Sequence, residues 1–394
     1  MTAVQDAGVA RAWRGAATWY VYLLLAGNTY LISSQGNILP FLKAELNLSY
    51  GEVSLHTSAV AVGMLIVGLI GDRFIGRFGR RAMLATGGLG ASVAMVLLTL
   101  APNVATSIAS CLLYGLTGSF ISAVVSALLT DMHGPRRNVA IAEANALCYA
   151  FAIMAPVIAG IAAWAGWSWR LVPLAGALAC TTIVLVWRRT PILAGRPAGA
   201  RTTMVPLSAA FWGYWAMLSF SVAIEFSVLL WAPAYLQQVV GLAPSSAAIG
   251  AAAFFAAMLV GRMVGIKLVA IFPVRRIFLS AAATTLAGFV AYWGSGMPAI
   301  AIAGLFVIGL GVSVLFPLTI GLAMGAAGGA SVRAGARAMM APGLAILVDP
   351  PLLGGIADHA GLWIAQLMVP VFMILAVIAF YVAEALGRRR PAVA

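Results

Sequence analysis

Long apolar stretches, each closed by a few polar or charged residues, follow one another along the whole chain. Twelve of them approach the ~20 residues that a helix needs to cross the hydrocarbon core of a bilayer. Their cores are 17–40, 53–71, 82–100, 104–130, 139–164, 170–187, 209–236, 247–268, 277–295, 299–325, 340–357 and 363–386. Barrel strands would be short and would alternate apolar with polar positions, unlike these blocks. The expected fold is therefore all-α and polytopic. Connections are short except from Arg188 to about Pro206, a stretch rich in Pro, Gly and Arg. It reads as a linker between two six-helix halves. The expected organisation is a tail at 1–16, a first bundle at 17–187, a linker at 188–208, a second bundle at 209–386 and a tail at 387–394. The first apolar block is too long for a cleaved signal peptide and counts as a helix.

Composition excludes a water-soluble alternative. Of 394 residues, 63% are hydrophobic and 8% charged, against about 25% charged in soluble domains. No soluble fold can hide that much apolar surface. Cys111, Cys148 and Cys180 all fall inside apolar blocks. Without CxxC or Cys/His spacing they suggest neither disulfides nor zinc, and no cofactor or metal is expected. There is no HExxH, and His56, His133 and His359 fall at helix ends or loops, so a membrane enzyme is not indicated. A channel would need a repeated pore motif or a ring of charge.

The formal charge of +13 is unevenly placed. With twelve spans, one side collects Arg11, Arg14, Arg73, Arg77, Arg80, Arg81, Arg136, Arg137, Arg188, Arg189, Arg196, Arg201, Lys267, Arg275, Arg276, Arg333, Arg337 and Arg388 to Arg390. The other side holds only Lys43 and Arg170. The positive-inside rule then puts both termini in the cytoplasm. It also explains the basic balance without a nucleic-acid partner. Arginine far outnumbers lysine, and alanine and glycine abound. That composition suggests a GC-rich bacterium, with the inner (plasma) membrane as the address and a monomer as the working form.

An internal repeat supports two halves. Pro40-Phe41-Leu42 recurs as Pro233-Ala234-Tyr235-Leu236, and Leu48-Ser49 as Leu242-Ala243. Gly68 with Arg80-Arg81 recurs as Gly261 with Arg275-Arg276, and Pro156 to Gly160 as Pro351 to Gly355. All are roughly 195 residues apart. Paired bundles with a site between them at mid-membrane are a common carrier design.

The stretch Gly68-Leu69-Ile70-Gly71-Asp72-Arg73-Phe74-Ile75-Gly76-Arg77-Phe78-Gly79-Arg80-Arg81 reads as a turn after the second helix. It resembles the signature loop of the major facilitator superfamily: glycine, aspartate-arginine, then glycine with paired basic residues. Asp72-Arg73 and Gly79-Arg80-Arg81 stand further apart than is usual, and Gly76-Arg77 is the alternative second part. Physically, Gly68 and Gly71 share a helix face that lets a neighbour approach. The Asp72 carboxylate can cap a helix N-terminus or pair with a base. The resemblance implies that this neighbour is the eleventh helix, with Arg333 or Arg337 beside Asp72, and that the loop with Arg73, Arg80 and Arg81 gates one face. The alternative is that these charges only mark topology. Ala155-Pro156-Val157-Ile158-Ala159-Gly160 resembles the Gly-Pro-x-x-Gly-Gly stretch of antiporters, with alanines at two glycine positions. Pro350-Pro351-Leu352-Leu353-Gly354-Gly355 is a closer match. Helix bending explains both equally well.

Charges inside the apolar blocks point to function, because a carboxylate at mid-bilayer costs roughly 2.5–3.5 kcal/mol. Glu225 lies near the middle of the seventh helix, and the resemblance implies that helices one, four, seven and ten line the cavity. It is the expected coupling acid or substrate contact, with a structural bond to a neighbouring helix as the alternative. Asp349 is the second candidate for protonation. Glu143 and Arg262 are expected to pair and close the cytoplasmic side. Asn28 and Gln35 are expected to hydrogen-bond a substrate, and Phe226 and Trp231 to stack on it. No Arg or Lys lies within helices one, four, seven or ten, and Cys111 occupies a position where many family members carry arginine. A neutral or cationic molecule with apolar surface is therefore expected rather than an anion. The expected function is a proton-coupled secondary transporter working by alternating access. Antiport export of such a lipophile ranks ahead of symport of a sugar or other nutrient. A non-transporting receptor or scaffold of the same fold is the remote alternative.

Overall fold

The computed structural model describes residues 15–193, 207–327, 331–338 and 340–388. Among them every regular element is helical: α1 Ala16–Leu46, α2 Tyr50–Thr99, α3 Val104–His133, α4 Arg137–Trp164, α5 Leu171–Val186, α6 Ala209–Gln238, α7 Pro244–Ile271, α8 Val274–Gly294, α9 Pro298–Val312, α10 Leu315–Gly325, α11 Ser331–Ala338, α12 Met340–Ala365 and α13 Met368–Arg388, with a short 3-10 turn at Gly134–Arg136. Arg11, Arg14, Arg196, Arg201, Arg389 and Arg390 lie outside the described residues, as do most of the expected tails and linker and the side chain of Arg333.

Local chemistry sets the helix starts. Ser49 and Glu52 form a reciprocal capping box at α2, with Ser49 Oγ accepting from Glu52 N at 3.1 Å and Glu52 Oε2 accepting from Ser49 N at 2.8 Å. Asn103 and Ser208 cap α3 and α6 in the simpler way, accepting from Thr106 N and Phe211 N at 3.0 Å each. Pro244 and Pro298 sit in the first turn of α7 and α9, where their missing N–H costs nothing.

Three boundaries differ from the expected ones. The second and third expected helices form one run, α2, broken only at Gly79 (φ 83°, ψ 157°). That left-handed conformation suits glycine alone. A Cβ on Gly63 would lie 2.5 Å from Leu116 N, and one on Gly90 would lie 2.4 Å from Thr117 Cγ2. A straight helix would hold those two glycines about 40 Å apart. The chain therefore folds back at Gly79, and both legs of α2 lie along α3. The stretch 68–81 is helical apart from that single residue, not a loop. The tenth expected helix divides at Ser313-Val314 into α9 and α10. The eleventh runs past 357 to Ala365, with a second positive-φ break at Gly361.

Among the described residues nine helices are long and apolar enough to cross a membrane, α9 with α10 counting as one. The α5 helix is apolar but shorter. At 31 residues, α1 is long enough, yet it carries Asn28, Ser33, Ser34, Gln35 and Asn37. Large apolar side chains face outward along the helices, Leu69, Leu178, Ile271 and Val290 among them, as suits a lipid surface rather than water.

The repeat is also a packing repeat. A Cβ on Gly115 would meet Val60 O at 2.2 Å, and one on Gly309 would meet Phe254 O at 2.6 Å. Both members of the pair shift by 194 residues, 60 to 254 and 115 to 309. The same shift turns the contact of Gly87 with Thr117 O into that of Gly311 with Ala281 O. Close backbone approach of this kind replaces the hydrophobic driving force that lipid removes between helices.

These contacts leave no room for a methyl group. Gly115→Ala and Gly309→Ala are each expected to lose about 1–3 kcal/mol by overpacking. Gly355→Ala, where nothing lies within 4 Å of the added Cβ, is expected to be neutral. Thermal unfolding in detergent, followed by tryptophan fluorescence, checks the contrast.

Candidate functional site

The two halves, α1–α5 and α6–α13, meet along α1 with α6, α2 with α12, and α4 with α7. One end of the molecule is arginine-rich; the other carries Lys43 and Arg170. Approach is tightest toward the arginine-poor end. There Cβ atoms added to Gly36, Gly160 and Gly354 would lie 2.4 Å from Leu229 O, 2.8 Å from Ser245 O and 2.6 Å from Tyr50 O.

Hydrogen bonds reinforce that seal. Asp358 on α12 accepts from Tyr50 N at 2.6 Å and from Gly51 N at 2.7 Å. These are first-turn N–H groups of α2, without partners inside their own helix and at its positive end. Tyr50 Oη donates to Gln238. The Tyr50 ring carries Lys43 Nζ at 4.3 Å from its centroid and stands edge-on to Trp231. Slightly deeper, Ser58 Oγ donates to Leu347 O at 3.0 Å. Toward the arginine-rich end the ion pairs among the described residues stay within one half: Arg80 with Asp131 at 2.6 Å and Arg275 with Glu384 at 3.6 Å. There α3 leaves Ser122, Ala123, Ser126 and Ala127 uncovered. Asp358 was not among the expected gate residues. The capping box marks where α2 begins, but only folding brings a carboxylate from α12 to that point.

About three helical turns from the Gly160 contact with Ile249, α4 and α7 bring Tyr149 and Arg262 together. Arg262 Cζ lies 4.6 Å from the Tyr149 ring centroid. Glu225 on α6 lies within electrostatic reach of the Tyr149 hydroxyl and of Arg262, its counter-charge. Tyr149 comes from the first half, Glu225 and Arg262 from the second. Among the described residues Arg262 has no carboxylate within 4 Å, and its Nε is buried without a partner. Glu225, Phe226 and Arg262 are each half-buried.

The other expected site residues fall into three groups. Asp349 is buried; Ser227 Oγ, two residues beyond Glu225, donates to its Oδ1 at 2.8 Å, and Oδ2 has no partner among the described residues. Trp231 and Gln35 are buried, with Nε1 and Nε2 unpartnered among the described residues, as are Asn37 Oδ1 and Thr57 Oγ1. Water or a ligand would ordinarily satisfy such groups. Asn28 is engaged within the first half, where Tyr114 Oη reaches its Oδ1 at 3.2 Å and its carbonyl oxygen at 3.1 Å.

The residues expected to gate lie apart in this conformation. Asp72, Arg73 and Arg81 are exposed, and Asp72 has no ion pair among the described residues. Arg80 is held by Asp131 within its own half. Arg337 is exposed, and its carbonyl oxygen accepts from Trp215 Nε1 at 2.8 Å. Glu143 accepts from Tyr22 Oη at 3.2 Å, while Arg262 faces Tyr149 and Glu225. A cavity of about 690 Å³ at the arginine-rich end of the second half, lined by Ser208, Tyr214, Val274, Pro317 and Leu386, does not include the Glu225 group.

Residues 21–327 match the family model described as Major Facilitator Superfamily. None of the curated proteins matches the chain in sequence. Solved structures with a similar fold include a bacterial homolog of the human lysosomal transporter Spinster, in an inward-facing and occupied conformation. It has a TM-score of 0.78 and 14% identity, over 96% of this chain and 99% of that one. The nucleoside transporter NupG gives a TM-score of 0.72 and 10% identity, over 95% of this chain and 100% of that one. A D-xylose-proton symporter gives a TM-score of 0.72 and 14% identity, over 95% and 98%.

Asp358→Asn should loosen the arginine-poor end. Each charge-assisted bond is worth about 1.5–3 kcal/mol, so the population open at that end should rise by about tenfold or more. Spin labels at Ala44→Cys and Ala360→Cys, on opposite halves at that end, would show a longer distance component; the native cysteines are buried. An unchanged distance distribution would remove Asp358 from the seal.

Proposed function

Because the chain belongs to the major facilitator superfamily, we propose that it is a proton-coupled secondary transporter moving a small organic molecule by alternating access. The observation that carries this reading is Glu225, half-buried at mid-helix where the two halves meet, beside Tyr149 and Arg262. A carboxyl in hydrocarbon is tolerated where it has work to do. Here it can take a proton from one side and release it to the other as the halves rock. Asp349, with one oxygen bound by Ser227 and the other unpartnered, is the second proton site. Gln35, Phe226 and Trp231 contact the substrate, while Asn28 holds α1 to α3.

Each end closes by its own charged contacts. Asp358 on the α2 N-terminus seals the arginine-poor end. In the opposite state Asp72 meets Arg333 or Arg337, Glu143 meets Arg262, and Arg73, Arg80 and Arg81 complete the arginine-rich gate. Charges that re-pair between two arrangements supply the differential contacts that two states require. The reading includes twelve crossings, both termini on the cytoplasmic face, the inner membrane of a bacterium and a monomeric carrier.

Two directions of coupling follow from the sequence: antiport export of a neutral or cationic lipophile, and symport of a nutrient. Arg262 favours symport, because a cation exchanging with a proton at Glu225 would meet a fixed like charge. Similarity to a D-xylose-proton symporter supports coupling to protons.

Glu225→Gln is expected to abolish pH-gradient-driven accumulation in proteoliposomes while leaving counterflow partly intact, with a ligand found by thermal-shift screening as tracer. Transport by the mutant with wild-type pH dependence would reject the coupling role.

A further inference from the structure

We propose that Arg262 anchors the substrate through a carboxylate, so that the transported molecule is a small organic acid; this rests on reading the Tyr149, Glu225 and Arg262 group as the transport site. A guanidinium offers five N–H donors and accepts none, and its best partner is a bidentate carboxylate. Four other described arginines find one. Arg80 has Asp131, Arg170 has Glu45, and Arg275 and Arg388 share Glu384. Arg262, half-buried on α7, has no carboxylate within 4 Å among the described residues. Its Nε is buried without a partner among the described residues. Its Cζ lies over the Tyr149 ring at 4.6 Å from the centroid, a contact that uses none of its N–H donors on a carboxylate. Glu225 and Arg262 are half-buried over the buried Tyr149.

The charges around the site fix the class further. Glu225 on α6 faces Arg262, as do Tyr149 and Cys148 on α4. Asp349 on α12 is bound by Ser227. With Glu225 ionised, Glu225 and Arg262 cancel. An arriving carboxylate adds one negative charge unless a proton moves from solution to Glu225. Taking up acid and proton together keeps the site neutral, and the ligand replaces Glu225 as the counter-charge of Arg262. A cationic ligand would instead meet Arg262 as a like charge. The sequence expectation against anions considered helices one, four, seven and ten. Arg262 belongs to the eighth and reaches the interface through the packing of α4 on α7.

The test is a thermal-shift and binding panel on the purified full chain, in which each aromatic or aliphatic scaffold is present as carboxylic acid, primary amide and amine. Acids should be the stabilising members. For the best acid, Arg262→Gln should weaken binding about ten- to a hundredfold. Arg262→Lys, which keeps the charge but loses the planar fork, should fall between the two and guards against a Gln variant that fails to fold. Stabilisation by amides or amines, no acid among the stabilising compounds, or acid binding undiminished in both variants would overturn the proposal. Proton uptake in weak buffer separates it from the coupling role of Glu225. Wild type should take up about one proton per acid bound, and Glu225→Gln none. Acid binding that depends on Arg262 without proton uptake would support the anchor and reject the coupling.

Discussion

Arg262 over the Tyr149 ring, with Glu225 beside both, is the point at which the two halves of the molecule meet around charge. A guanidinium and a carboxyl at this depth have exchanged water for hydrocarbon and protein, and neither is tolerable there without the other or a substitute. Tyr149 comes from the first half and the two charges from the second. Their environment is therefore complete only while α4 lies against α7. Any movement of the halves changes the solvation of the pair, and any change of its charge shifts the preference between arrangements. That reciprocity is the physical content of coupling.

The scaffold around this point is symmetric, but the chemistry is not. One shift of 194 residues maps Val60 and Gly115 onto Phe254 and Gly309, and Gly87 and Thr117 onto Ala281 and Gly311. Under the same shift Tyr149 corresponds to Gly343, Arg262 to Gly68 and Glu225 to Leu31. Glycine contacts recur because helices in lipid need close backbone approach wherever they cross. The polar group occurs once, because close backbone packing does not require it to recur. Asp358 follows the same logic. It caps α2 from the other half at the arginine-poor end, with no counterpart under the shift, where Trp164 stands in its place.

Much of the architecture was legible in the chain. Spanning helices announce themselves through composition over about twenty consecutive residues, so nearly every expected core lies inside a helix. Glu225 stood out because an acid within such a block is rare. Errors arose where one residue outweighed its neighbours. Gly79 alone turns α2, although 68–81 has the look of a loop, and Ser313-Val314 divides a continuous apolar block. The bond that Tyr114 makes to Asn28, joining α1 to α3, was not legible in the sequence.

Hydropathy along the chain thus determined the helices, their depth and the presence of an acid in the hydrocarbon, because those properties are local. Which charge stands beside that acid was decided by tertiary packing. Tyr149, Glu225 and Arg262 lie far apart in sequence, as do Asp358 and Tyr50. Electrostatics and hydrogen bonds act over a few ångströms of space, whatever the distance along the chain.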